Sequence, residues 1–389
     1  MRTLATVQTI KSLEAIPEKD KIVLASFENT GWHVIVGKDD NLKVGDRCIY
    51  IEYDSVLPEW PEYEFLRKRC WNEKWKGFRI RNMKMGGVYS EGIVFPLTLI
   101  TIRFPRYIQL SEGMDVTDVL EIVKYDPEAM AEKLLLEEIE RRKKKYPLII
   151  RFLLKFAFFR DIMFPRKKTN WPVWAHHSDE TRVQVLPYVY DQYIGTRCYA
   201  TEKIDGQSAL FGVNKREFAV CSRNLRLPEP TKLKGMYIAE KFNYWLTAQK
   251  YDIEAKLRKA QKEMGIDLYV QGEQCGPGIS ENKYGFTELK FFVFNIFDIT
   301  HKKYFGWNDI LTFCVKYEFF PVYLLEVFDF HFNNIDELVN YSKGNSFFAP
   351  IPREGVVIRS LDPMPPGNGM ANMMSFKVIN PDFALKYGI

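Results

Sequence analysis

The sequence predicts an α+β chain in three parts: a small amino-terminal β-barrel over residues 1–126, a basic helical connector over 127–175, and a larger domain of strands with flanking helices over 176–389. Three observations lead there. Short apolar runs punctuated by glycine fill the first part. A stretch of good helix formers with a concentrated block of positive charge follows, and beyond it strand-like runs alternate with helical spacings. The 389 residues, 46% hydrophobic and 15% aromatic, suffice for two cores and argue against extended disorder.

The elements follow in order. Residues 31–36 read as a strand, Lys43-Val44-Gly45-Asp46 as a turn, and 48–51 as the next strand. Residues 77–81 alternate with period two, and Gly86-Gly87 punctuates before a strand at 92–95. Short strands joined by glycine turns suggest a closed barrel of the OB type. From Pro127 the texture changes. Residues 128–146 favour a helix supported by the pairs Glu137/Arg141, Glu138/Arg142 and Glu140/Lys144, and Pro147 breaks it. Residues 148–164 are apolar but carry Arg151 and Lys155 on one helical face and Arg160 on the opposite one. A membrane-surface helix would segregate these charges, so the segment is expected to pack between domains. Further on, Ile253, Leu257, Ala260 and Met264 follow helical spacing with Gly265 as the stop. Strands are expected at 268–270, 291–296, 356–358 and 375–379, the last two joined by a loop at 363–369.

The net charge of +5 is unevenly spread. Residues 141–170 hold eleven Lys and Arg against one acid, Asp161, which leaves the rest of the chain at −5. A basic block on a slightly acidic body is the pattern of a polyanion contact. Six scattered cysteines form no C-x-x-C pair, so structural zinc and a disulfide framework are disfavoured and a reducing compartment is expected. The start, MRTLATVQTIKSLEAIPEKD, lacks a signal-peptide core, and no apolar window of about 18 residues could span a membrane. The expectation is a soluble, cytoplasmic protein with no membrane partner. His176 and His177 lack an acid or cysteine at ligand spacing and read as linker residues. Phe291 and Phe292 read as core, and Glu91 as solvated surface. Trp71 and Trp75 suit either stacking on bases or packing under a loop.

The chemistry centres on Thr201-Glu202-Lys203-Ile204-Asp205-Gly206. In an extended segment Lys203 and Asp205 point to one side, and Gly206 lets the backbone approach a ligand. Lysine is a nucleophile only when neutral, which its ordinary pKa of about 10.4 prevents at pH 7. A bound divalent metal or burial would favour the free amine. By itself Lys-x-Asp-Gly is too short to outweigh a surface ion pair before a turn. Its companions change the balance: Ser222-Arg223-Asn224, Gly272-Glu273, the run 291–296, Arg353-Glu354-Gly355 with 356–358, and Ser375-Phe376-Lys377-Val378.

Together these resemble motifs I, Ia, III, IIIa, IV and V of the covalent nucleotidyltransferase superfamily of ligases and capping enzymes, spanning about half the chain. Only twelve residues follow Lys377, too few for the trailing OB domain of DNA ligases and capping enzymes. The amino-terminal part, with Lys43 to Asp46 and residues 51–58, resembles the OB domain that precedes the transferase in ATP-dependent RNA ligases of the Naegleria and Deinococcus type. The implied fold is an OB barrel followed by a ligase-type nucleotidyltransferase domain of antiparallel sheets.

The resemblance also implies roles. Lys203 is the nucleophile that attacks the α-phosphorus of ATP and becomes lysyl-AMP. Asp205, Glu273 and Glu354 hold Mg²⁺ or Mn²⁺, largely through water. Glu273 also accepts from the ribose, and Arg223 contacts the nucleotide and later the RNA end. Phe294 stacks on adenine, Glu202 borders the ATP site, and Lys377 neutralises charge on the α-phosphate. Two departures stand out. Ser375 occupies the first position of a motif that is Lys-x-Lys in many relatives, so Lys377 acts alone or with a cation such as Arg353 or Arg359. Asn295 stands where several relatives have Asp and is not expected to bind metal. The implied activity is ligation of RNA at nicks or broken ends by a monomer, with the amino-terminal domain gripping RNA. A DNA ligase, a guanylyltransferase and an inactive nucleic-acid-binding module are the alternatives.

Overall fold

The computed structural model describes residues 3–103, 110–126, 171–227, 239–362 and 374–388. The connector helix at 128–146, the basic block at 141–170 and the loop at 363–369 lie outside the described residues.

Strand Ala5–Ile16 is the spine of the amino-terminal domain. Its residues 5–9 pair with Arg47–Glu52 and its residues 10–16 with Lys19–Phe27. A register shift between Ile10 and Ser12 marks the hand-over, and such irregularities bend a strand so that it can serve two parts of a barrel. The sheet runs on to His33–Gly37 at one edge and Gly92–Pro96 at the other. The edges meet where the Glu91 amide donates to the His33 carbonyl at 2.8 Å and the Ile35 amide to Ser90 Oγ at 3.0 Å. Alternation puts Val7, Ile49 and Ile51 inside, packed around Phe27 and Trp32. The expected turn is built by Asp46, whose carboxylate accepts the Lys43 amide at 2.8 Å, with Gly45 at a φ of +88°. This is the OB barrel expected from the glycine-punctuated strands. A second, smaller sheet orders Val123–Lys124, Ser55–Leu57, Gly77–Arg79 and Trp71–Asn72.

The carboxy-terminal domain has two mainly antiparallel sheets. One orders Leu324–Asp329, Arg197–Lys203, Gly355–Ser360 and Ser375–Ile379. The other runs from Arg226–Leu227 through Glu217–Cys221, Gln207–Asn214, Leu268–Cys275 and Lys290–Asp298 to Lys303–Tyr304. All four strands expected from the sequence are present. Helix Ile253–Met264 buries Ile253, Leu257 and Ala260 and ends on Gly265 in the left-handed region, but Met264, one turn beyond Ala260, is exposed. Phe291 and Phe292 are core residues, 3% and 9% exposed. Residues 171–175 pack on this domain, where Trp174 meets Tyr269.

The domains touch directly. The Gly31 amide donates to the Gln184 carbonyl at 2.9 Å, and the Tyr89 hydroxyl donates to Asp382 at 2.6 Å. Glu91 lies here rather than on solvated surface. It is half-buried, and burial pushes its carboxyl up to about 7, with Arg182 opposing and Asp336 and Glu52 adding to the rise. Among the described residues no helix is long and apolar enough to cross a membrane.

Candidate active site

A cavity of about 720 Å³ opens between the two carboxy-terminal sheets and is closed on one side by the amino-terminal domain. Lys203 ends the strand Arg197–Lys203, directly opposite Gly355 in the neighbouring strand. That register brings its ammonium within 2.7 Å of both oxygens of Glu354. Lys377 projects from the next strand, where Val357 faces it in the register. The other sheet supplies Glu273 and Phe294 to the same cavity. All eight residues expected at the site, Glu202, Lys203, Asp205, Arg223, Glu273, Phe294, Glu354 and Lys377, border it.

The electrostatics differ from the expectation in one respect. Burial works to lower the Lys203 pKa, but the carboxylates of Glu354, Glu273 and Asp205 outweigh it and hold the ammonium above its ordinary value. Burial alone therefore does not free the amine. Burial pushes the Glu354 carboxyl up, against the pull of Lys203, and pushes the nearly inaccessible Glu202 carboxyl up as well. Asp205 is ion-paired with Lys283, whose ammonium lies 5.5 Å and 5.0 Å from the rings of Phe383 and Tyr387. Among the described residues no three His, Cys, Asp or Glu side chains converge closely enough to hold a metal directly. Asp205, Glu273 and Glu354 nevertheless border one cavity and offer the hard oxygen donors that suit Mg²⁺ or Mn²⁺ held through water.

Gly206 borders the cavity, and it is also needed for packing: a Cβ there would lie 2.3 Å from the Gln274 carbonyl and 2.7 Å from Cys275 Sγ of the neighbouring strand. The Gly206 amide donates to Glu273 at 3.1 Å and fixes that carboxylate. Arg223 reaches Asp179 at 2.5 Å and Asp126 of the amino-terminal domain at 3.5 Å.

Ser375 proves to be a junction. It is 8% exposed, accepts from Arg359 Nε at 3.0 Å and donates to Glu180 at 2.6 Å. Arg359 also meets Glu180 at 2.5 Å and donates to the Phe294 carbonyl at 2.7 Å. Its guanidinium thus ties one sheet to the other behind the Phe294 ring. Arg353 does not border the cavity; it donates to the carbonyls of Tyr341, Ser342 and Lys343 at the end of helix Ile335–Ser342. Asn295 is buried and spends its amide on Gln271 at 3.0 Å. His177 stacks on Trp171, and His176 packs against Phe297.

Sequence reasoning missed one wall. Asp54, Arg79, Lys124, Tyr125 and Asp126 of the amino-terminal domain border the cavity, so this domain does more than the expected gripping of RNA beyond it. Arg182 crosses between the domains, 7% exposed, 3.5 Å from Asp54 and 3.9 Å from the Tyr53 ring centre. Asp54 also meets Arg79 at 3.3 Å. Asp54 lies in the stretch 51–58 that carries the OB resemblance, but no motif gave it a place in this cavity, and none marked Arg79, Lys124, Tyr125, Asp126, Arg182 or Lys283.

Comparison with known proteins agrees with this architecture. Residues 4–97 match an OB-fold domain model, and residues 196–379 match the RNA ligase family model. No curated protein matches the chain. Among solved structures it is similar to Naegleria gruberi RNA ligase with PPi, at 23% identity, a TM-score of 0.76 and 99% coverage of both chains. A lysine-to-alanine mutant of the same ligase with ATP and Mn gives 22% identity, a TM-score of 0.75 and 98% coverage of each chain. A glutamate-to-alanine mutant with AMP and Mn gives 23%, 0.75 and 99% of both. At this identity the structural likeness speaks for the fold, while the family model speaks for the domain that holds Lys203. Residues 196–379 are therefore similar to the RNA ligase family and lie behind a domain similar to an OB-fold domain.

Proposed function

We propose that this chain is an ATP-dependent RNA ligase that joins a 3′-hydroxyl to a 5′-phosphate through a lysyl-AMP intermediate. The observation that carries this reading is Lys203 held 2.7 Å from Glu354, facing Glu273 and Phe294 across a cavity of about 720 Å³. Lys203 Nζ gives a proton to Glu354 and attacks the α-phosphorus of ATP. A P–N bond forms, the bond to the bridging oxygen breaks and pyrophosphate leaves. Lys377 offsets charge on the α-phosphate, Phe294 stacks on the base, Glu202 and Glu273 border the nucleoside, and Arg223 holds the nucleotide and then the RNA end. AMP passes to the RNA 5′-phosphate, and the 3′-hydroxyl displaces it. Mg²⁺ or Mn²⁺ held through water by Asp205, Glu273 and Glu354 would neutralise these carboxylates and lower the lysine pKa.

In this reading residues 176–389 carry the chemistry, 1–126 complete the cavity and 127–175 connect them. The chain acts as a monomer on nicked duplex or broken ends. A cytoplasmic setting is supported by six cysteines that are all unpaired. The test is incubation of the whole chain with α-labelled ATP and Mg²⁺ or Mn²⁺, followed by a denaturing gel. The wild type should carry label and Lys203→Arg, which keeps the charge but has no neutral amine, should carry none. Label retained by Lys203→Arg would sink the assignment. Label from GTP alone would make the chain a guanylyltransferase, and sealing confined to DNA nicks would make it a DNA ligase.

A further inference from the structure

The hairpin formed by Trp71–Asn72 and Gly77–Arg79 lies just outside the cavity on the amino-terminal side. Its turn carries Lys74-Trp75-Lys76, with both lysines exposed and Trp75 half-buried. The indole of Trp75 packs against Tyr125 at 5.3 Å between ring centres. Tyr125 in turn borders the cavity and lies over the Arg79 guanidinium at 3.6 Å. An aromatic path therefore leads from the cavity to the outside of the domain.

The charge around this path is one-sided. Lys68, Arg69, Lys74, Lys76 and Arg81 are all exposed, and none has an ion-pair partner among the described residues. The nearby acid, Glu73, accepts the Trp71 indole N–H at 2.8 Å. Neighbouring Arg67 shows the contrast, since it is bound by Glu59 and Glu64. Unpaired cations flanking a partly exposed indole suit a ligand that repeats phosphates and flat bases, which is a nucleic-acid strand.

We propose that the RNA strand leaves the active site over this turn, with a base stacked on Trp75 and the flanking phosphates held by Lys74 and Lys76. The assignment rests on the RNA ligase reading and names the surface through which that site takes its polymer. None of the three residues belongs to the catalytic cavity, so lysyl-AMP formation is independent of them.

The experiment uses the full chain and its W75A, W75F and K74A/K76A variants. Lysyl-AMP formation with ATP is measured first, and binding of a labelled nicked RNA duplex is then followed by anisotropy across a salt series. All variants should form lysyl-AMP like the wild type. Stacking on an aromatic side chain contributes about 1–3 kcal/mol, so W75A should bind RNA about 5- to 150-fold more weakly, with W75F close to wild type. Losing two phosphate contacts should make the slope of log affinity against log salt about 1.4 to 1.8 shallower in K74A/K76A. Wild-type affinity in W75A together with a wild-type slope in K74A/K76A would overturn the proposal. So would loss of lysyl-AMP in these variants, because the turn would then support the cavity rather than hold RNA. A wild type that binds RNA through the turn but forms no lysyl-AMP would instead overturn the ligase reading and leave this one standing.

Discussion

On the carboxy-terminal wall of the cavity, Lys203 and Glu354 meet because their strands are hydrogen-bonded neighbours, with Lys203 opposite Gly355. On the amino-terminal wall, Asp54 and Arg79 meet within one domain, but Arg182 reaches Asp54 only because two domains dock. The first contact is as durable as a sheet whose core residues Val356, Ile358 and Phe376 are fully buried. The second depends on an interface held by few direct hydrogen bonds among the described residues, and it buries charge from both partners. The Lys203–Glu354 pair is thus built into one domain, whereas the completed cavity is a property of the docked chain.

Arg182→Ala should break this comparison most severely. It removes one of the charges that cross the interface, Arg223 with Asp126 being another, and leaves Asp54 with Arg79 alone. Removing one partner of a buried ion pair typically costs about 3–5 kcal/mol. The expected result is a lower denaturation midpoint with lysyl-AMP formation falling alongside it. A variant that melts and labels like the wild type would show that docking does not depend on this arginine.

Ser375→Lys sharpens the carboxy-terminal side. Restoring the lysine that many relatives carry looks harmless from the sequence. In the structure it removes the hydroxyl between Arg359 and Glu180 and adds a cation that competes for Glu180. Hydrogen bonds to charged groups contribute about 1.5–3 kcal/mol, so the variant should lose stability on that scale and show a raised KM for ATP, because Phe294 loses its anchor. An unchanged KM with an unchanged melting temperature would show that Arg359 does not position Phe294.

Glu91→Gln should have the smallest effect and bears on the interface alone. The folded-state pKa of Glu91 is raised from 4.5 to about 7 by burial. Its contribution to stability is therefore fully present below about 4.5 and is lost as pH rises through about 7. A glutamine side chain at this position does not titrate, so the variant's melting temperature should fall less than the wild type's over that window. Parallel melting curves for the two proteins would show that Glu91 is not held at a raised pKa.

What was legible in the sequence follows the same division. Lys203, Glu273, Glu354 and Lys377 sit in strand-like runs whose order is visible along the chain, and alternation with glycine turns exposed the barrel strands. Lys283 and Arg182 were not legible because neither lies in a motif that carries the resemblance, and their ties to Asp205 and Asp54 appear only in the folded chain. Ser375 was read as a missing charge because a sequence shows which side chain is absent, not which neighbours use the one present. Glu91 misled for a related reason, since a polar residue beside glycines gives no sign of the second domain that covers it.

The Lys203–Glu354 contact also bears on the chemical safety of the resting protein. A lysine kept neutral would be open to acylation, carbamylation and condensation with aldehydes, since each requires the amine lone pair. Here the lone pair is masked by a proton that three carboxylates stabilise, and the side chain is only 23% exposed. As the nucleophile of the proposed reaction, Lys203 is held in its unreactive form, and stray electrophiles meet an ammonium.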